Sequence, residues 1–147
     1  MPHTETLSET TLQLKRTFEA PRARVFKAWT KTEELKKWFA PSDEYSVPFA
    51  EVDLQVGGKY RIGMKSPSGD MHIAVGTYRE IKNPEKLVFT WTWEGTEMPD
   101  TLVTVEFHDR GQSTEMVLTH ELFPNKTEAD RHDQGWIGCL DRLTKIL

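Results

Sequence analysis

The segment that decides the fold is the last one, Lys126–Leu147, whose second half runs Gly135-Trp136-Ile137-Gly138-Cys139-Leu140-Asp141-Arg142-Leu143-Thr144-Lys145-Ile146-Leu147. Trp136, Leu140, Leu143 and Leu147 recur at i, i+4, i+7 and i+11, one face of an α-helix, and Thr127 followed by Glu128 and Asp130 suits a helix start. At about 1.5 Å per residue such a helix spans roughly 30 Å, the width of a small domain. Gly135 and Gly138 each cost about 1 kcal/mol relative to alanine inside a helix. Two glycines flanking a tryptophan therefore point to a close approach or a kink.

What lies before this helix is a different kind of chain. From Tyr45 to Leu122, short runs rich in Val, Ile, Thr and aromatics are interrupted by Gly57-Gly58, Pro67–Asp70, Asn83–Lys86, Gly95–Asp100 and Asp109–Gln112. Five turns separate six strands, expected near 43–56, 59–66, 70–82, 87–94, 101–109 and 112–122. Gly57-Gly58 suits a two-residue primed turn, since glycine accepts positive φ. Connections this short make an antiparallel meander, because parallel strands need crossovers of about a dozen residues. Upstream, Thr10–Glu19 alternates as one more strand. Pro21–Thr30 and the segment capped by Thr32, with Leu35, Trp38 and Phe39 as its apolar stripe, read as two short helices. Residues 1–9 read as a flexible polar tail, and 10–147 as a single domain.

The expected architecture is thus α+β: a seven-stranded curved antiparallel sheet wrapped around the long C-terminal helix, with two short helices after the first strand. A sheet with one apolar face must be covered, and only the last helix is long enough to do it.

Composition narrows the function. The 147 residues carry 19 Lys+Arg and 23 Asp+Glu, one cysteine and 15 aromatics, five of them tryptophan. Folding at this length buries roughly 68–70% of the unfolded surface, enough for a core without staples. One cysteine excludes an internal disulfide framework and a cysteine-rich zinc site. The net charge of -4 argues against a nucleic-acid backbone binder. There is no apolar run long enough to span a membrane and no basic, apolar leader, so a cytoplasmic location is expected. No nucleophile elbow, phosphate-cradling loop or dinucleotide fingerprint occurs, and no motif calls for a cofactor or specifies an oligomeric state. His108-Asp109 and His132-Asp133 lack a third ligand at useful spacing, which leaves no metal site. Cys139 reads as a small buried filler.

Several phrases carry a family resemblance: Ala20-Pro21 with Val25-Phe26-Lys27-Ala28-Trp29, Thr32–Phe39, Asp53–Arg61, Gly76–Ile81, Pro84–Trp91, and Gly135-Trp136 with Leu140 and Leu143. In this order, from about Thr10 to Leu147, they resemble the SRPBCC (START-like, helix-grip) superfamily, and within it the group homologous to the C-terminal domain of the activator of the 90-kilodalton heat-shock protein ATPase. The resemblance implies the helix-grip fold. It also implies a range of functions that includes lipid carriers, hormone binders, cyclases and chaperone activators. The eukaryotic activator has a separate N-terminal chaperone-binding domain, for which 147 residues leave no room.

The candidate site follows from strand alternation. Leu87, Phe89, Trp91 and Trp93 share one face, joined by Tyr60, Ile62 and Met64 from a neighbouring strand, by Met116, Leu118, His120 and Leu122 from the last, by Phe39, and by Trp136 and Leu140 from the helix. This face is either solid core or the wall of a ligand cavity. Burying about 300 Å² of apolar ligand at about 25 cal/mol/Å² yields on the order of 7 kcal/mol, against an ordering cost of at least about 4 kcal/mol. Polar anchors therefore matter, and His120 is the one candidate on that face. His72, Glu51 and Asp53 fall on the solvent side. Charge is polarised as well: residues 15–37 hold eight basic and three acidic side chains, residues 94–133 three basic and ten acidic. The leading expectation is a binder of a small hydrophobic or aromatic molecule. A module acting on the heat-shock chaperone and a cyclase-like enzyme using His120 are the alternatives.

Overall fold

The computed structural model describes the backbone of residues 3–147 and the side chains from Ser8 onward. The elements are β1 (His3–Ser8), β2 (Thr11–Phe18), α1 (Arg22–Thr30), α2 (Thr32–Trp38), β3 (Ser46–Val52), β4 (Lys59–Lys65), β5 (Met71–Lys82), β6 (Lys86–Trp93), β7 (Thr101–Arg110), β8 (Ser113–Glu121) and α3 (Lys126–Ile146). All strands join one antiparallel sheet in the order β1-β2-β8-β7-β6-β5-β4-β3. The meander β3 to β8 folds hairpin by hairpin, and β2 closes onto β8 with Leu12 opposite His120 and Leu14 opposite Leu118. Helices α1 and α2 therefore carry the chain from one side of the sheet to its far edge.

The expected seven strands and three helices are present, and the sheet has one strand more. Residues 3–8, read as part of a flexible tail, pair with β2 from His3 opposite Lys15 to Ser8 opposite Thr11. Pairing satisfies the outer backbone edge of β2, a gain that does not depend on an apolar period and so leaves no mark in the sequence pattern. Residues 1 and 2 lie outside the described residues.

Four local expectations change. Between β3 and β4 the chain makes a six-residue excursion, not a two-residue turn. Gly57, at φ +86°, donates its N–H to the Tyr78 carbonyl at 2.8 Å, and the Gly58 carbonyl accepts from Tyr78 N–H at 2.9 Å. The glycine pair thus continues the pairing with β5. The strand placed at 43–56 is only Ser46–Val52, and Leu54 and Val56 are left exposed. Helix α3 is capped by Asn125, whose Oδ1 accepts from the Glu128 N–H at 2.9 Å, rather than by Thr127. Similarly, Lys31 rather than Thr32 precedes α2, with no side-chain cap bond.

Burial in α3 falls on Ala129, His132, Trp136, Cys139, Leu140 and Leu143. This stripe lies over the inward residues of β2, β4, β6, β7 and β8, with Val25, Phe26, Trp29, Leu35 and Trp38 of α1 and α2 completing the core. One side chain of the inward set is misplaced by the sequence pattern. Leu122 adopts φ +70° beyond the end of β8 and is 59% exposed, and Phe123 takes the inward position instead, its ring centroid 4.1 Å from that of His120.

The helix approaches the α2–β3 connection closely enough to require glycine. A Cβ on Gly138 would sit 1.8 Å from the Pro41 carbonyl oxygen, whereas one on Gly135 would meet nothing within 4 Å. Close approach therefore explains Gly138, and Gly135 faces open space. Near that contact Arg142 donates to the carbonyls of Lys37 and Ser42 and pairs with Asp43.

Candidate functional site

Alternation along β6 points Leu87, Phe89, Trp91 and Trp93 toward α3, but the four end up in two different environments. Around Leu87 and Phe89, with Tyr60, Ile62, Tyr78, Trp29 and Leu35, only about 10 Å³ of space remains. That is about the minimum needed for one water. Edge-to-face contacts fill this region: Tyr60 and Phe89 lie 5.4 Å apart at 82°. The Tyr60 hydroxyl donates to the Thr90 carbonyl at 2.6 Å, and burial pushes its pKa well above that of a free phenol.

Toward the Trp93 end the sheet and helix diverge and leave a groove of about 1040 Å³. Its walls are Phe39 and Tyr45 from the α2–β3 side, Met64 of β4, Met71 to Ile73 of β5, and Trp91 and Trp93 of β6. Thr96 to Pro99 of the β6–β7 loop and His132, Gly135, Trp136 and Cys139 of α3 complete it. The rings form a contiguous wall, with Trp91 centred 5.3 Å from Trp93, 5.2 Å from Trp136 and 5.9 Å from Phe39.

Of the eleven residues expected at a site, Phe39, Met64, Trp91, Trp93 and Trp136 line this groove. Tyr60, Ile62 and Phe89 line the filled interior, and Met116, His120 and Leu140 are fully buried and line neither space. Ten of them are buried and Trp93 is partly so, but strand and helix periods could not separate the filled end from the open one. Tyr45, Met98, His132, Gly135 and Cys139 were not expected. His132 falls on the buried stripe of α3 four residues before Trp136, a spacing that could have revealed it.

His120 acts as a structural hub. Its Nδ1 accepts from the Trp136 indole N–H at 3.0 Å, so its Nε2 carries the proton and donates to Thr101 Oγ1 at 2.7 Å, while that hydroxyl donates onward to the Trp91 carbonyl at 2.7 Å. Burial, and then the nearby His132, drive its pKa well below the ordinary histidine value. Both nitrogens are thus engaged with the protein and the ring is neutral. A proton-transfer role would require breaking one of these bonds.

His132 is the second neutral imidazole. Its Nδ1–H donates to the Glu128 carbonyl at 2.7 Å, and its Nε2 accepts from the Trp93 indole N–H at 3.0 Å, which clasps α3 to β6 beside the groove. Burial lowers its pKa, opposed by the Glu128 carbonyl. The Trp91 indole N–H, by contrast, has no acceptor among the described residues. On the groove floor, burial pushes the Cys139 thiol up to about 12, so it holds its proton and is a poor nucleophile near neutrality. No group of three or more potential metal ligands occurs among the described residues, and no helix there is long and apolar enough to cross a membrane.

A curved antiparallel sheet closed over a long C-terminal helix, with a cleft where the two diverge, defines the helix-grip class. Within it the chain belongs to the family of activator of Hsp90 ATPase homolog 1-like proteins, whose model matches residues 19–147. Among solved structures, a protein of Nitrosomonas europaea is 23% identical, with a TM-score of 0.82 over 97% of this chain and 96% of its own. One from Rhodobacter sphaeroides is 17% identical, with a TM-score of 0.86 over 99% and 97%. The AHSA1 protein of Silicibacter pomeroyi is 22% identical, with a TM-score of 0.80 over 92% and 95%. At these identities the likeness concerns the fold. No curated protein matches the sequence.

Proposed function

We propose that this protein binds a small hydrophobic, ring-bearing molecule in the groove between the first half of α3 and the ends of β4, β5 and β6. Phe39, Met64, Trp91, Trp93 and Trp136 are the contact wall, and Tyr60, Ile62, Phe89, Met116, His120 and Leu140 hold that wall from behind. The observation that carries the reading is the contrast between a groove of about 1040 Å³ and an interior void of about 10 Å³ in one molecule. Small-molecule sites usually measure about 300–1,000 Å³ and are lined by apolar and aromatic groups with few polar ones.

Gly135 offers a direct test, because a side chain there would project into open space. Gly135→Leu is expected to lower the affinity for a naphthalene-sized apolar probe at least tenfold by calorimetry while leaving the fold intact. Equal affinity in both proteins would refute the reading.

A second reading, a module that docks on the heat-shock chaperone, draws support from the family name and from exposed Lys27 of α1, Lys31 between the two helices and Lys36 of α2, for which no ion pair occurs among the described residues. It predicts salt-sensitive capture of the host chaperone and stimulation of its ATPase. Failure of both in a purified system would dispose of it.

A further inference from the structure

The groove's polar groups are unevenly signed. Its lining contains three carboxylates, Glu94, Glu97 and Glu128, and one guanidinium, Arg131. Glu94 is matched outside the groove by Arg61, in two contacts of 2.7 and 2.8 Å. Arg131 lies 3.4 Å from Glu128 and is itself 74% exposed at its side chain. Glu97 is exposed and forms no ion pair among the described residues. It sits in the loop that follows Trp93, between Thr96 and Met98, and both Trp93 and this loop line the groove.

The N-terminal turn of α3 contributes some positive potential at the same mouth, and Glu128 within that turn offsets it. The loop from Glu94 to Asp100 has the same sign as the rim, with three carboxylates and no basic side chain. Beneath this rim stands the ring wall of Trp91, Trp93, Trp136 and Phe39, and Tyr45 also lines the groove.

Aromatic faces attract cations through the ring quadrupole and do nothing of the kind for anions. A carboxylate left free at the mouth gives such a cation a partner without forcing it into the dry interior, where an isolated charge would be costly. We propose that the ligand of this groove is a hydrophobic cation, an aromatic or alkyl amine or quaternary ammonium. Its apolar body lies against Trp91 and Trp136, and its charged head sits at the mouth between Trp93 and Glu97. This rests on the binding function proposed above and names the chemistry of its ligand.

Three probes built on one naphthylmethyl body separate the two ideas: 2-naphthylmethylammonium, 2-naphthylmethanol and 2-naphthylacetate, titrated calorimetrically into the whole protein near neutral pH at low ionic strength. The cation is expected to bind about tenfold more tightly than the alcohol, with the anion weakest and the preference shrinking as salt is added. Glu97→Gln should narrow the gap between cation and alcohol, and Gly135→Leu should weaken all three. If the three bind alike, or the anion binds best, and Gly135→Leu still weakens them, the groove binds ligands and the cation proposal is overturned. If Gly135→Leu leaves the affinity for the cation itself unchanged, the cation is held by the acidic surface outside the groove, and the proposal again fails. If none of the three binds, the groove reading falls with it.

Discussion

Gly135 and Gly138 are three residues apart on one helix, and opposite effects are expected from the same substitution. At Gly138 an added methyl group meets the Pro41 carbonyl at 1.8 Å, so Gly138→Ala must displace backbone and should cost about 1–3 kcal/mol or more. At Gly135 nothing lies within 4 Å, and Gly135→Ala should gain about 1 kcal/mol from helix propensity. Urea unfolding of the two variants checks both signs. His120 belongs to the same scale. Removing its ring in His120→Ala empties a fully buried site and strands the Trp136 N–H without its acceptor. A loss of about 3 kcal/mol or more is expected, far larger than the effect of an exposed histidine such as His72. The pair of glycines was visible in the sequence as a query, close approach or kink. The answer depends on Pro41, nearly a hundred residues away, and no local pattern contains it.

Helix α3 is fastened to the sheet by contacts of two kinds. Apolar packing through Leu140 and Leu143 is insensitive to pH, whereas the bond from Trp93 to His132 and the chain from Trp136 through His120 to Thr101 require neutral imidazoles. Both histidines have folded-state pKa values lowered by burial, while in the unfolded chain they titrate near about 6.5. Below that pH the unfolded state takes up protons that the folded state refuses. Stability should therefore be level above about pH 6.5 and fall on acidification, by up to about 1.4 kcal/mol per pH unit for each histidine. Burial dominates at His132; the Glu128 carbonyl and carboxylate oppose it by favouring a charged ring, Arg131 adds to the penalty, and His120 and Trp93 pack against the imidazole. Urea midpoints between about pH 7.5 and pH 5 test the slope, and His132→Gln should reduce it. A flat profile would show that the clasp does not hold the helix. At this scale the sequence was largely legible, because strand and helix periods are properties of the chain itself. The exceptions are β1, which exists through pairing with β2, and the reach of β3, which ends where the connection through Gly57 and Gly58 turns to pair with Tyr78.

For the molecule as a whole, the division between a filled interior and an open groove separates stability from binding. Phe89→Leu, in the filled region around Tyr60 and Ile62, should lower stability by about 1–3 kcal/mol and weaken probe binding far less than Gly135→Leu does, because it reaches the wall only from behind. A saturating probe should slow amide exchange in residues 94–99 and the first half of α3, and not at Tyr60 or Ile62. Protection spreading through the interior would place the ligand elsewhere. The sequence by itself determined the seven strands from Thr11 onward, the three helices, their order and most of the residues that face inward, because alternation of two and 3.6 residues is written in the order of side chains. It also revealed the polarised charge from which the acidic rim arises. Only the tertiary structure decided that Trp91, Trp93 and Trp136 bound open space while Tyr60, Ile62 and Phe89 do not, that His132 joins Trp93, and that His120 is occupied on both nitrogens. Those facts depend on how side-chain volumes from separate elements add up where they meet, and a difference of a few ångströms in the divergence of helix and sheet turns the same aromatic face from solid core into the wall of a groove.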